Sequence, residues 1–303
     1  MAKKQNWLII FISWLSGLQL KTLYVLSDYV LYPLVHLFYR RKLVRKNLAL
    51  AFPEKSEAER RDIERKFYHW FCDLAVETIR VHSIGEKEIK ERFVWKNVDV
   101  VEKATLSAGK DFACCYLSHY CNWELAVGLP FWQNALGMSQ IYHPLRNDAM
   151  DEWFVGNRGK FGAENIKMKD TLRRLLTLRQ EAKEGSKKLP NGQTICGWML
   201  GSIADQLPKR ENIHLRVPFL NQSTAVFSGS ERLIRKLGMT VWYSYITMPS
   251  RGHYECTFYP IEVSDEELKA DEFAYTRRYM TLLEQQIKER PELWLWTHDR
   301  WKR

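Results

Sequence analysis

Four strand-like segments between residues 111 and 263 constrain the fold of this chain most strongly. The first is a short apolar run with the length of a buried β-strand, the last alternates like a strand, and amphipathic helical patterns lie between and around them. Strands are predicted at residues 111–117 (DFACCYL), 194–200 (TICGWML), 240–247 (TVWYSYIT) and 252–263. Helices are predicted at residues 56–78, 98–107, 122–134, 150–161, 169–184 and 264–290. This alternation predicts an α/β fold in which a mixed sheet is flanked by helices.

The size and charge of the chain limit its class. Its 303 residues suffice for one large α/β domain or two small ones, and 46% apolar and 27% charged residues are typical of a globular protein. The formal net charge of +10 indicates an anionic partner: nucleic acid, anionic lipid or an acidic protein. Twelve tryptophans favour a membrane interface, although an aromatic core would explain them equally well. No nucleic-acid-binding motif is present, so we expect no nucleic-acid partner.

The first 39 residues are predicted to form a membrane anchor, and residues 40–303 a cytoplasmic domain. Residues 7–20 are apolar and uncharged, and residues 22–39 continue the pattern with Asp28, Pro33 and His36 inside it. Neither stretch reaches the roughly 20 uncharged residues of a spanning helix, so the anchor is expected to be re-entrant or to lie in the interface. The alternative is a buried helical hairpin in a soluble protein. Lys3 and Lys4 would also suit a signal peptide, but no convincing cleavage site follows.

A basic cluster follows the predicted anchor directly, at Arg40, Arg41, Lys42, Arg45 and Lys46. Basic residues beside a membrane segment favour the cytoplasmic side and bind anionic headgroups. The six cysteines show neither a CxxC pair nor a metal-type spacing with histidine, and several lie in apolar runs. A reduced, cytoplasm-facing protein without a metal is the simplest interpretation.

The segment SHYCNWE, residues 118–124, follows the predicted strand at 111–117, where α/β folds collect reactive residues. If His119 lies in the turn and Glu124 in the first helical turn, the two side chains converge, and Asn122 would cap the helix. Glu124 would then accept the ring proton of His119, and the other ring nitrogen would take a proton from a hydroxyl. A histidine and a glutamate five residues apart are by themselves a weak signal, since most such pairs are structural.

Several blocks nevertheless occur in the order of a known family. HYCNWE resembles the His-x-x-x-x-Glu/Asp box of the glycerolipid acyltransferase superfamily, and more narrowly the His-x-x-Asn-Trp-Glu box of the lipid A biosynthesis lauroyl/myristoyl acyltransferase family. The further similar blocks are residues 142–147 (YHPLRN), 204–206 (ADQ), 217–220 (VPFL) and 294–302 (WLWTHDRWK). In contrast, residues 52–56 (FPEKS) resemble the Phe-Pro-Glu-Gly-Thr box but precede the histidine, and are predicted to be a turn and helix cap. The resemblance covers nearly the whole chain.

The resemblance implies a site with His119 and Glu124 as the catalytic pair. The substrate-binding residues that its blocks imply are Asn122, His143, Arg146, Asn147, Asp205 and Gln206, and Arg158 is predicted beside them as a candidate basic partner of Asp205. Asp205 is expected to orient a basic side chain, Arg146 or Arg158, or to shape the site floor; alternatively it bonds its own turn. Two positions depart from the family, with His143 in place of an arginine and Asn221 in place of a frequent glycine. The acceptor or donor preference is therefore expected to differ.

The family resemblance also implies a reaction. A fatty acyl chain would move from the thioester of acyl carrier protein to a lipid hydroxyl or amine, with His119 as base and no metal or cofactor. The acceptor implied is a lipid A precursor in lipopolysaccharide biosynthesis, at the cytoplasmic face of the inner membrane. An aminoacyl lipid or a phospholipid remains open as acceptor. The alternative from another class is a non-catalytic lipid-binding protein of the same fold.

Overall fold

A seven-stranded mixed β-sheet forms the centre of the computed structural model, which describes residues 7–302. The strands are β1 (Phe93–Trp95), β2 (Phe112–Leu117), β3 (Leu136–Tyr142), β4 (Glu164–Lys167), β5 (Gly197–Ile203), β6 (Leu215–Phe219), β7 (Gln222–Val226), β8 (Thr240–Ser250) and β9 (His253–Pro260). The order in the large sheet is β1-β9-β8-β2-β5-β3-β4, and β6 pairs with β7 separately. Neighbours in the large sheet are parallel except β8 and β9, which form an antiparallel hairpin. The predicted mixed sheet is confirmed.

Helices surround this sheet. They are α1 (Trp7–Ser16), α2 (Leu20–Leu26), α3 (Tyr32–Phe38), α4 (Arg41–Ala51), α5 (Glu57–Val81), α6 (Glu86–Arg92), α7 (Val98–Ser107), α8 (Asp148–Gly159), α9 (Thr171–Lys183), α10 (Gly229–Leu237), α11 (Asp265–Ala270) and α12 (Ala274–Glu289). A π-helical turn, Ser27–Leu31, joins α2 to α3, and short 3₁₀ helices cover Trp123–Phe131, Met168–Asp170, Arg210–Asn212 and Pro291–Leu293. Helices α7, α9, α10 and α12 pack on the strands, whereas α5 packs against the N-terminal helices.

The local signals in the sequence explain most element boundaries. Ser56 and Glu59 form the capping box that starts α5, so the predicted turn and cap at residues 52–56 are confirmed. The single helix predicted over residues 264–290 is wrong, because the chain breaks between α11 and α12. There the Asp271 carboxylate accepts a hydrogen bond from the Phe273 amide at 2.9 Å, a local turn that competes with the helix. The helix predicted at 122–134 is instead the 3₁₀ segment Trp123–Phe131, which contains Pro130.

Strand β2 lies between β5 and β8, and all of its residues are buried. Its register with β5 is parallel and ends with Leu117 opposite Ile203. Both strands therefore end at the same sheet edge. His119 and Asp205 each lie two residues beyond this last pair, which brings them together although they are distant in sequence.

The N-terminal helices are attached to α5 through its buried face. The Tyr24 hydroxyl donates to Glu77 at 2.6 Å, and the Ser27 hydroxyl donates to Asp73 at 2.7 Å. Within residues 7–302, no helix is both long enough and apolar enough to span a membrane. Residues 1–6 of the predicted anchor, including Lys3 and Lys4, lie outside the described residues.

Candidate active site

The turn between β2 and the 3₁₀ helix holds the histidine box in a fixed conformation. Cys121 has a positive φ of 53°, which is uncommon for a residue with a side chain. Two backbone hydrogen bonds join this turn to the C-terminal segment. The Cys121 amide donates to the Leu293 carbonyl at 2.9 Å, and the Leu295 amide donates to the His119 carbonyl at 3.1 Å. The conformation of the box therefore depends on the last residues of the chain.

Asn122 fixes the start of the 3₁₀ helix, and its predicted role as a cap is confirmed. Its Oδ1 accepts hydrogen bonds from the amides of Glu124 and Leu125, at 3.1 and 3.2 Å. Its Nδ2 donates to the carboxylate of Glu77 at 2.6 Å. Both polar groups of this fully buried side chain are thus engaged inside the protein. Asn122 positions the box and does not line the cavity described below.

His119 is oriented by Asp205. The His119 Nδ1 lies 2.7 Å from Asp205 Oδ1, and the backbone amide of His119 donates to Asp205 Oδ2 at 3.0 Å. The indole Nε1 of Trp294 donates to Asp205 Oδ2 at 2.8 Å. Because an ionised carboxylate only accepts, the His119 ring proton lies on Nδ1 and the Nε2 lone pair faces away from Asp205. Gln206 Nε2 lies 3.1 Å from that Nε2 atom.

The environment keeps Asp205 ionised although it is buried. Burial raises the pKa of its carboxyl, but the charge of His119 and the hydrogen bonds from His119 and Trp294 outweigh this, so the net pKa is below the usual value. An ionised carboxylate stabilises the imidazolium that forms when Nε2 takes a proton. The expected pairing of Asp205 with Arg146 or Arg158 is wrong, because Asp205 uses its oxygens for His119 and Trp294.

Glu124 forms a second pair in the same wall. Arg158 Nη2 and Nε donate to its two carboxylate oxygens at 2.7 and 3.1 Å, and Trp123 Nε1 donates at 3.0 Å. The expected hydrogen bond from His119 to Glu124 is therefore wrong. Glu124 lies in the 3₁₀ segment and pairs with Arg158 of α8, and the Trp123 ring lies 4.8 Å from the His119 ring. Burial lowers the pKa of Arg158, but the Glu124 charge outweighs it and raises the pKa above the usual value.

His119 and the Glu124–Arg158 pair border one cavity of about 250 Å³. His119, Trp123, Glu124 and Arg158 line it on one side. Its other walls are mainly apolar, and their apolar residues include Leu117, Ala126, Val127, Met138, Ile141, Met168, Ile203 and Phe227. An apolar cavity with a few convergent polar groups is the usual form of a small-molecule or lipid site. The arrangement therefore brings a histidine base to the edge of a space suited to an alkyl chain.

The family of the chain agrees with this arrangement. The profile of the family described as bacterial lipid A biosynthesis acyltransferase matches residues 6–303. The chain belongs to this family. It is accordingly an acyltransferase, as the ordered sequence blocks predicted. A search of curated proteins gave no match.

The other candidate residues of this acyltransferase lie in different places. His143 is exposed and lines the cavity. Arg146 and Asn147 are also exposed but are not among the residues that line it; Asn147 caps α8 by accepting from the Met150 amide at 3.1 Å. Their roles in substrate binding stay predictions.

Three supporting residues of the acyltransferase were missed by sequence reasoning. Trp294 donates to Asp205, the Tyr279 hydroxyl donates to the Leu117 carbonyl at 2.8 Å, and Glu77 holds Asn122. Trp294 begins the C-terminal block that resembles the family, so that block was the available signal for it. Glu77 lies inside a helical pattern, where a charged residue is ordinarily assigned to the solvent side.

A cysteine nucleophile is excluded at this turn by the environment of Cys121. This thiol is fully buried, and burial raises its pKa well above the usual value, so the reactive thiolate is disfavoured. All six cysteines are free. In the described part of the chain, no group of three or more His, Cys, Asp or Glu side chains is arranged to hold a metal ion.

Proposed function

We propose that this acyltransferase moves a fatty acyl chain from the thioester of acyl carrier protein to a hydroxyl or amine of a lipid acceptor, most directly a lipid A precursor in lipopolysaccharide biosynthesis. The observation that carries the proposal is the His119–Asp205 pair at the edge of the apolar cavity. The family of the chain supports a lipid acceptor and an acyl donor.

The geometry supports general-base catalysis. His119 Nε2 takes the proton from the acceptor hydroxyl as its oxygen attacks the thioester carbonyl carbon. The carbon–sulfur bond of the resulting tetrahedral intermediate then breaks, and the leaving thiolate takes the proton back from His119. Asp205 stabilises the imidazolium between these steps, and Gln206, which contacts Nε2, is displaced or turned by the incoming hydroxyl.

Glu124 and Arg158 have a complementary role in this proposal. Their bidentate pair uses Nε and Nη2 of Arg158, which leaves Nη1 for a substrate oxygen. A fixed guanidinium beside the reacting carbon would stabilise the negative oxygen of the tetrahedral intermediate. Glu124 would then act by holding Arg158 in place. This replaces the predicted His119–Glu124 hydrogen bond with two cooperating pairs, His119 with Asp205 and Glu124 with Arg158.

The proposed reaction is tested by product analysis. Purified protein in detergent is incubated with acyl carrier protein thioesters and, separately, with a lipid A precursor, an aminoacyl lipid and a phospholipid, and the lipids are weighed by mass spectrometry. A mass increase of one acyl chain on the lipid A precursor is expected. Acylation of another lipid alone would replace the acceptor, and tight lipid binding without any acylation would indicate the non-catalytic alternative.

A small inner cavity indicates how acyl chain length is limited. It has a volume of about 20 Å³ and shares Leu117, Ala126, Met138 and Gly201 with the main cavity. Met138, on β3, is 5% exposed and lines both spaces. We infer that the acyl chain occupies the main cavity and that side chains such as Met138 end it.

Met138→Ala should join the two cavities and shift the donor preference towards longer chains. Each added methylene that becomes buried contributes about 0.8 kcal/mol, or roughly fourfold in relative kcat/KM. The measurement is competition between donors of increasing chain length. Met168→Ala is the matched control, because Met168 lines the same cavity but is 43% exposed. An unchanged chain-length profile in a folded Met138→Ala protein would remove Met138 from the chain-length limit.

We also propose that residues 7–39 hold the protein at the cytoplasmic face of the inner membrane by lying in the interface. Most large apolar side chains that are exposed within residues 7–302 belong to this segment. In α1, four of them share one helical face, at Trp7, Ile10, Phe11 and Trp14. Exposed apolar faces of this kind are typical of helices that lie in a membrane surface.

The basic cluster contributes less to this attachment than its sequence suggests. Arg41 and Arg45 donate to the buried carboxylate of Glu64, at 2.7 and 2.8 Å. Their charges are thereby partly used inside the protein. Lys42 and Lys46 are exposed and remain for anionic headgroups.

Substituting exposed rings should release the protein from membranes. Phe11→Ser, Trp14→Ser and Phe38→Ser together remove three exposed apolar side chains, each worth about 1.5–3 kcal/mol when fully buried. The triple variant should therefore float far less with liposomes of anionic phospholipid, whereas high salt alone should leave the wild-type protein bound. Val100→Ser, Leu106→Ser and Leu176→Ser, exposed elsewhere, form the control set. Release of the wild-type protein by salt alone would contradict apolar insertion.

A further inference from the structure

A second groove begins beside the catalytic pair. It has a volume of about 730 Å³ and shares no lining residue with the apolar cavity. Its walls come from the loop that follows Gln206, from β6 and from the C-terminal residues. The lining residues are Leu207, Pro208, Lys209, Arg210, Glu211, Ile213, Arg216, His298 and Lys302. Since Gln206 contacts His119 Nε2 and Leu207 is the next residue, the groove starts within one residue of the proposed reaction centre.

The groove is strongly positive. Lys209, Arg210, Arg216 and Lys302 line it, against Glu211 as the acidic residue among its lining residues. These five side chains belong to exposed residues. Among residues 7–302, Lys209, Arg210 and Lys302 form no ion pair with a carboxylate within 4 Å. Their charges therefore remain for an anion that enters the groove.

His298 also lines the groove. Its Nε2 accepts a hydrogen bond from the Leu207 amide at 3.2 Å, which places the ring proton on Nδ1. Burial, and next the positive charge of Arg300, lower the pKa of His298 to about 4, so the ring is neutral at pH 7. A neutral imidazole with a fixed tautomer presents one N–H group without needing a proton from solvent.

Arg300 provides a buried positive charge behind this wall. It is 1% exposed, and its three guanidinium nitrogens have no hydrogen-bond partner among the described residues. Its backbone amide donates to the His298 carbonyl at 2.9 Å, so it lies next to the groove residue. Burial lowers the pKa of Arg300 to about 10 against the opposing charge of Asp205, so the guanidinium stays charged at pH 7. Its charge, partly offset by Asp205, adds to the positive potential at the groove that His298 lines.

We propose that this basic groove binds a phosphate ester group of a substrate. The inference rests on the proposed function, because both proposed substrates carry such a group: the phosphopantetheine arm of acyl carrier protein and the phosphorylated lipid A precursor. A phosphate ester offers several charged acceptor oxygens, which suit the ammonium, guanidinium and imidazole donors of the groove. With the phosphate group bound in the groove, the rest of that substrate would lie beside His119.

Binding without turnover tests this proposal. One arm compares 4′-phosphopantetheine with pantetheine, and the other compares a diphosphorylated lipid A precursor with its dephosphorylated form, both by calorimetry. The wild-type protein should bind the phosphate-bearing member of at least one pair about tenfold or more tightly, and salt should weaken that preference. The arm that shows the preference identifies which substrate supplies the phosphate.

The double variant Lys209→Gln and Lys302→Gln should remove the preference and leave binding of the phosphate-free member unchanged. Lys87→Gln with Lys103→Gln is the matched control, because it removes the same charge from exposed positions on α6 and α7. Equal affinity within both pairs, or a preference that survives the groove variant, would overturn the proposal. Because no turnover is needed, a protein that binds phosphate in the groove but transfers no acyl chain would keep this inference and overturn the proposed function.

Discussion

Replacing His119 by alanine should lower the rate of acyl transfer by about 10²–10⁴-fold, the usual contribution of a general base. The side chain is 20% exposed and lines the cavity, so its loss removes the atom proposed to take the acceptor proton. Asp205 keeps the hydrogen bonds from Trp294 and from the backbone amide of residue 119. The fold should therefore survive, with stability lower by about 1–3 kcal/mol for the partner that the buried carboxylate loses.

The measurement is the turnover number of the variant at a saturating concentration of acyl carrier protein thioester. Thermal unfolding and donor binding are recorded for the same protein. His143→Ala is the matched control, because His143 lines the same cavity but is exposed and bonds its neighbour's carbonyl, Pro144 O, at 2.9 Å. That variant should change KM more than kcat. Near-normal turnover in a folded His119→Ala protein would end the general-base proposal and leave lipid binding as the function.

The sequence predicted the architecture well where the signals were local. The run at 111–117 is short, apolar and followed by a polar box, and it forms the buried central strand β2. Asn122 and Ser56 were recognisable as caps because a cap satisfies amides two or three residues away. Local hydrogen bonds join residues that are close in sequence, so a single sequence suffices to predict them.

The partner of His119 was not predictable in the same way. Asp205 lies 86 positions along the chain, and the two meet because of the parallel register of β2 with β5. Glu124 is the nearest carboxylate that follows His119 in sequence, and sequence spacing alone therefore favours it as the partner. The 3₁₀ geometry of Trp123–Phe131 and the approach of Arg158 from α8 gave Glu124 a different partner. Pairings that depend on strand order and register need the tertiary structure.

The supporting network was hidden for a related reason. Glu77 accepts hydrogen bonds from Asn122, Tyr24 and Tyr254, and Arg92 lies 3.2 Å from it. These residues come from four separate parts of the sequence. A buried carboxylate is tolerated only when several donors surround it, and the sequence shows each donor without showing that they converge.

Asp205→Asn should lower acyl transfer nearly as much as His119→Ala, within the same range of about 10²–10⁴-fold, because the same change in a serine-protease triad costs about 10⁴-fold. The asparagine amide keeps the shape of the side chain but can donate to His119 Nδ1. It would then favour the tautomer that carries its proton on Nε2, which is not a base. The loss of negative charge also removes the group that stabilises the imidazolium.

Double variants decide which carboxylate works with His119. The turnover of His119→Ala combined with Asp205→Asn should be little lower than that of His119→Ala alone, because Asp205 acts through His119 and has no further effect once His119 is removed. Glu124→Gln should behave in the same way with Arg158→Met, since those two side chains form the other pair. Glu124→Gln combined with Asp205→Asn should instead give multiplied losses. Thermal unfolding of each variant separates catalytic loss from unfolding. If the His119 and Glu124 losses proved non-additive while the His119 and Asp205 losses multiplied, the originally predicted His119–Glu124 dyad would stand and the role assigned to Asp205 would be wrong.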